Sequence, residues 1–146
     1  MARLGQLVKK YQSLNIDQLA VEAIEETREQ LLDIQRDQLL HGEKKDGTKI
    51  GKYKSEKYAA KKLAQNPLAG SGNVDLKLTG EYHEELFVDV REQTLVIDSA
   101  ASADKIENII GKYGDPLGLN ETSLNEYKPI SNKALNKKII QKIRSK

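Results

Sequence analysis

The chain has 146 residues, enough for one ordinary domain with its own core. It has no Cys, so disulfides and thiolate metal sites are excluded; a net charge of +2, from 24 basic and 22 acidic side chains, gives no global argument for nucleic acid. Hydrophobic residues make up 38% and aromatic residues 5%, which implies an aliphatic core, and the apolar runs are too short for a membrane span or a signal peptide.

Leu4, Leu7, Val8, Tyr11 and Leu14 recur at helical spacing and predict a short amphipathic helix over 3–14. Asn15 ends it and caps the next, with Gln18 three residues on. From Ile16 to His41 there is neither Pro nor Gly, and Ala20, Ile24, Leu31, Ile34 and Leu39 form a stripe. This predicts one long helix of about 26 residues and roughly 40 Å, closed by Gly42. Its surface is acidic: Asp17, Glu22, Glu25, Glu26, Glu29, Asp33 and Asp37 face only Arg28 and Arg36. Like charges four apart mildly destabilise a helix, and a basic surface laid over them would explain the pattern; a plain solvated face is the simpler reading.

Residues 42–73 read as a polar, basic and weakly structured loop with a tight turn at Asp46-Gly47 and a short helix over Ser55–Ala64. Val74, Leu76 and Leu78 alternate with Asp75 and Lys77 and predict a half-buried strand. Thr79 caps a short helical turn through Glu85. Leu86–Val90 and Thr94–Ser99 predict a hairpin around Arg91-Glu92-Gln93, with Leu86, Val88, Val90, Leu95 and Ile97 on one face. A helix over Ser102–Ile110 ends at Gly111; Asn120 caps a brief helix to Tyr127 that Pro129 breaks; and a last helix from Ser131 or Asn132 carries Leu135, Ile139, Ile140 and Ile143. The expected fold is α+β: a long N-terminal helix, a small antiparallel sheet with a hairpin, and C-terminal helices packed on one face. It forms one domain over 1–146, with N-terminal helices in 1–41, the basic loop in 42–73 and an α+β core with its C-terminal helix in 74–146.

Catalytic signatures are missing from the sequence. The two histidines, His41 and His83, stand apart, and Tyr82-His83-Glu84-Glu85 lacks the His-Glu-x-x-His spacing of a zinc protease. We read that cluster as the solvated face of a short helix, and His41 as a cation at a helix C-terminus. Gly70-Ser71-Gly72 lacks the lysine of a phosphate loop and reads as a flexible linker. The expectation is a protein that is not an enzyme, with no cofactor and no metal. The stretch that invites contact is the basic loop, where Lys44, Lys45, Lys49, Lys52, Lys54 and Lys57 interleave with Tyr53 and Tyr58, and Lys61 and Lys62 follow. These lysines suit phosphates and the tyrosines suit bases. Arginine is absent from the stretch, so any such contact would be non-specific. A solvated loop that keeps the chain soluble is the alternative, and the basic tail over 133–146 reads the same way.

The layout resembles the virion-morphogenesis or tail-completion proteins of tailed phages, the small neck and head–tail connector components. The resemblance is carried by Gln35-Arg36-Asp37-Gln38-Leu39-Leu40 closing a long helix, Asp46-Gly47-Thr48, the lysine-rich Tyr53–Lys62, Leu76-Lys77-Leu78-Thr79-Gly80-Glu81-Tyr82, a hairpin, and Ala103–Gly114. It covers about residues 20–143. The family's histidine in the late helix has no counterpart, with Asn108 or Ile109 in that region, so no catalytic residue is carried over. The resemblance implies a homo-oligomeric ring in a virion assembled in the host cytoplasm. Its partners would be portal, neck or tail proteins, with non-specific DNA contact through the basic loop and no membrane. The alternative is a small non-specific nucleic-acid-binding or regulatory domain that uses the same loop and the tail.

Overall fold

The computed structural model describes residues 4–91 and 94–145. Among the described residues seven helices and one hairpin follow in order: α1 (Leu4–Gln12), α2 (Ile16–Glu26), α3 (Arg28–Leu40), α4 (Glu56–Gln65), a 3-10 turn (Pro67–Ala69), α5 (Glu81–Glu84), β1 (Leu86–Arg91), β2 (Thr94–Ser99), α6 (Ala103–Tyr113) and α7 (Glu121–Arg144). The fold is α+β, with a two-stranded antiparallel sheet and a C-terminal helix lying along α1, α2 and α3. Arg3, the turn residues Glu92 and Gln93, and Lys146 of the tail lie outside the described residues.

The hairpin pairs Val88 with Ile97 and Val90 with Leu95, as the alternation requires. A two-stranded ribbon is marginal alone and needs its apolar face covered. That face joins two clusters. One gathers Leu32, Leu39, Ile50, Val74, Tyr82, Leu86, Ala101 and Leu117; the other centres on Leu31, Ile34 and Tyr127; Val88 and Ile97 pack against both. The strands therefore weld the two clusters into one core.

Three helical expectations are corrected. The long helix is bent at Thr27 (φ −102°, ψ 14°), which separates α2 from α3. The buried Thr27 hydroxyl donates to the Ala23 carbonyl (2.8 Å) and so accepts from the Tyr127 hydroxyl (2.8 Å). Such back-bonding bends helices, and the bend lets both pieces follow α7. Second, α7 runs unbroken through Pro129. Proline removes one backbone bond and crowds the preceding turn at a cost of about 3 kcal/mol, but Tyr127 and Ala134, buried on either side of it, hold both halves on one axis. Third, α6 continues past Gly111 and closes at Gly114 (φ +73°), whose N–H reaches the Ile110 carbonyl at 2.9 Å. The extra turn brings Tyr113 into the core.

Two buried glutamines of α3 set the entry to α7. Gln35 Oε1 accepts from Gly118 N–H (2.8 Å). Gln38 donates to the Gly118 carbonyl and accepts from Asn120 N–H, both at 2.8 Å. Asn120 then caps α7 by accepting from Ser123 N–H.

Candidate binding cleft

The segment read as a loose loop is ordered. Antiparallel bridges join Glu43 to Lys49 and Lys52 to Asn73. Ser55 caps α4 by accepting from Tyr58 N–H, and Asp46 closes its turn by accepting from both the N–H and hydroxyl of Thr48. Gly70-Ser71-Gly72 is a fixed turn and not a linker: Gly70 and Gly72 sit at φ near +80°, and the Gly72 carbonyl accepts from Tyr53 N–H at 2.9 Å.

The expected strand over Val74–Leu78 does not form. Val74 and Asp75 are both buried, Leu76 takes φ +60°, and Leu78 is 74% exposed. Alternation fails because Asp75 points inward to four donors: Tyr53, Lys62 of α4, Asn66 at the C-cap of that helix, and the nearby Lys77 N–H. Its Oδ1 receives Lys62 Nζ (3.0 Å), the Lys77 N–H (2.9 Å) and the Tyr53 hydroxyl (3.4 Å). Its Oδ2 receives Asn66 Nδ2 (2.9 Å), which also donates to the Leu40 carbonyl. Lys62 also donates to the Lys77 carbonyl at 2.6 Å. Burial alone would raise the Asp75 pKa; the hydrogen bonds from Asn66, the Lys77 N–H and Lys62, with the Lys62 charge, outweigh it and hold the carboxyl below its ordinary value.

His83 corrects another expectation. It lies buried, not on a solvated face, with Nε2 donating to the Asp75 carbonyl at 2.8 Å. Burial pushes its pKa below the ordinary imidazole value, so the ring stays neutral near pH 7. Its own carbonyl accepts from Arg36 Nε (2.8 Å), which ties α5 to α3.

Above this network opens a cleft of about 980 Å³. Its walls are Ile50–Lys54, the inner side of α4 (Tyr58 and Lys62), the turn from Val74 to Tyr82, and one side of α6 from Lys105 to Tyr113. Gly51 is required here: a Cβ at this position would stand 2.8 Å from the Tyr113 ring. Tyr53 and Tyr58 meet edge to face, with ring centres 5.0 Å apart. The rim is cationic, with Lys52, Lys54, Lys77, Lys105 and Lys112, and its one acid, Glu81, is committed to Lys105 (2.8 Å) and to the Ser102 N–H (3.0 Å). No described residue forms an ion pair with Lys54, Lys77 or Lys112. Among the described residues no three His, Asp or Glu side chains gather to hold a metal.

The structure divides the loop residues singled out in the sequence. Lys52, Tyr53, Lys54 and Tyr58 line the cleft. Lys44, Lys45, Lys49 and Lys57 do not: Lys45 lays its stem against Gly118, Lys49 Nζ donates to the His41 carbonyl (3.0 Å), and Lys57 is exposed on α4 away from the lining. Lys62, counted among the phosphate-binding candidates, is spent on Asp75. Lys77, Lys105 and Lys112 were missed, because three lysines on two distant segments carry no local pattern. Asp75 was missed because its donors are distant in sequence, and the sequence singles out His83 but reads it as exposed.

Comparison of the chain with protein-family models, with curated proteins and with solved structures returns no match.

Proposed function

We propose that this chain is a non-enzymatic structural component of a phage virion, an oligomeric subunit that connects or completes the head–tail, neck or tail assembly after synthesis in the host cytoplasm. One observation carries the reading. Tyr53–Lys62, Leu76–Tyr82 and Ala103–Gly114, which bear the resemblance and lie far apart in sequence, supply most of the walls of the cleft. Distant segments that bear the resemblance and meet at one surface suit a contact site. The buried chemistry supports binding over turnover: both Asp75 oxygens are occupied, Lys62 is locked to it, and His83 is hidden.

The test is sedimentation of the purified chain through a gradient, alone and with particles that lack a neck or tail. Comigration with particles, or a closed ring seen by electron microscopy, is the expected result; a chain that stays single and joins no particle overturns the reading.

The second reading, non-specific nucleic-acid binding, is favoured by the unpaired lysines of the rim beside two tyrosines. It predicts affinity for duplex DNA that falls steeply with salt, by a slope of about −0.9 for each phosphate contact. Lys52→Gln with Lys54→Gln reduces that slope if the cleft is the site and leaves it unchanged if it is not.

A further inference from the structure

We infer that the cleft receives the acidic ridge of α2 and α3 from a second copy of this chain; the inference rests on the oligomeric reading above. Two surfaces carry it. The first is the rim, where Lys54, Lys77 and Lys112 are exposed and have no acid partner among the described residues. The second is the outer side of the bent helix. Glu25, Glu29, Asp33 and Asp37 follow at steps of four and are all exposed, while the opposite side of α3 is buried through Leu31, Ile34, Gln38 and Leu39.

Within one copy this ridge is only partly neutralised. Arg28 lies 3.7 Å from Glu25 and 4.0 Å from Glu29, and Arg36 lies 3.0 Å from Asp33 while also serving the His83 carbonyl. Two guanidiniums, and the His41 ring 3.7 Å from Asp37, thus face four carboxylates. Like charges four apart on a helix oppose one another, so the arrangement gains when cations approach from outside.

Within one copy no rim lysine forms an ion pair with a ridge carboxylate among the described residues, and neither α2 nor α3 contributes a residue to the cleft. A second copy brings the two surfaces together. Contact between two different patches is head to tail, the kind of contact that closes into a ring when the rotation allows. Leu78, exposed in the rim beside Lys77, gives the incoming helix an apolar seat where the lysine heads reach past it. Nucleic acid is the competing occupant. The aliphatic lining from Ile50, Val74, Leu76, Leu78 and Ile109 favours a protein surface, because it offers nothing to a sugar-phosphate chain.

A charge-swap experiment tests this, read by light scattering on the full chain. The rim variant is Lys54→Glu/Lys77→Glu/Lys112→Glu and the ridge variant is Glu25→Lys/Glu29→Lys/Asp33→Lys. All six positions are exposed, and circular dichroism checks that each variant keeps its helices; Gln replacements at the same positions stand in where one does not. Wild type is expected to associate, and to do so at least ~tenfold more weakly when NaCl rises from about 50 mM to about 500 mM. Each variant alone is expected to be a single copy, and an equimolar mixture of the two is expected to associate again, with the two variants alternating in equal numbers. Wild-type association that survives in the rim variant overturns the inference and leaves the oligomeric reading standing. Association that closes at two copies keeps the contact and removes the ring. A wild type that stays single at every concentration, or that binds a short DNA duplex through the rim lysines without associating, overturns the inference; the former outcome, with no particle joined, removes the oligomeric reading too.

Discussion

Leu31 and Leu39 in α3 and Asp75 beneath the cleft are hidden from water to nearly the same degree. What surrounds them differs. Leu31 sits in a helical half, α1 to α3 with α7, clustered with Ile34 and Tyr127, whereas Leu39 joins Ile50, Val74 and Tyr82 at the boundary between the halves. Asp75 sits in a half built of turns, bridges and short helices, residues 42 to 83 with α6, where a carboxylate gathers four donors. Dispersion and burial are non-directional and degrade gradually when one group is removed. Buried charge with saturated hydrogen bonds is directional, and losing one partner strands the others. The cleft half is therefore the brittle half, and its shape is fixed by the network under it.

Asp75→Ala is the largest expected effect, a loss of about 3–5 kcal/mol in urea unfolding, because Lys62 is left buried without its counter-charge. Lys62→Met combined with Asp75→Leu removes the stranded charge but leaves the Lys77 N–H and Asn66 without an acceptor. The double variant is expected to recover part of the loss; complete recovery would mean that the ion pair alone, not the hub of hydrogen bonds, holds the cleft half together. Leu31→Ala in the helical half is expected to cost about 3 kcal/mol by leaving a cavity. If it costs more than Asp75→Ala, the contrast between the halves fails.

Acid sharpens the contrast further. Burial holds the His83 pKa below 6.5, and its hydrogen bonds hold Asp75 below 3.8, so in both cases the unfolded chain takes up the proton first as pH falls. The stability they contribute is complete above pH 6.5, declines below it as His83 is charged in the unfolded chain, and declines again below 3.8. His83→Gln, which keeps a donor for the Asp75 carbonyl, is expected to remove the upper part of that decline, measured as midpoint denaturant concentration between about pH 6.5 and pH 5. A variant with the wild-type profile would assign the upper decline elsewhere.

Smaller effects follow. Thr27→Val keeps the shape but denies the Tyr127 hydroxyl its acceptor, and is expected to cost about 1–2 kcal/mol. Lys57→Ala, on the outer side of α4, is expected to change stability by less than ~0.5 kcal/mol, read in the same unfolding assay.

The sequence by itself determined the elements whose signals are local. Apolar residues at helical spacing gave α1, α2, α3 and α6; Asn15, Ser55 and Asn120 capped helices by bonds that span three residues; and strict alternation fixed the register of the hairpin. Gly42, at φ +74°, ended its helix where the pattern said it would. Tertiary structure alone decided the rest. Thr27 back-bonds to the Ala23 carbonyl, and Tyr127, a hundred residues away, holds that hydroxyl in place. Pro129 is carried through α7 because the flanking turns are buried. Val74 to Leu78 abandons the strand pattern because Asp75 finds Lys62 and Asn66, and the rim exists only once Lys54, Lys77 and Lys112 are brought together. Periodicity is written in neighbouring residues, whereas charge pairing depends on which distant segments the fold brings within hydrogen-bond reach.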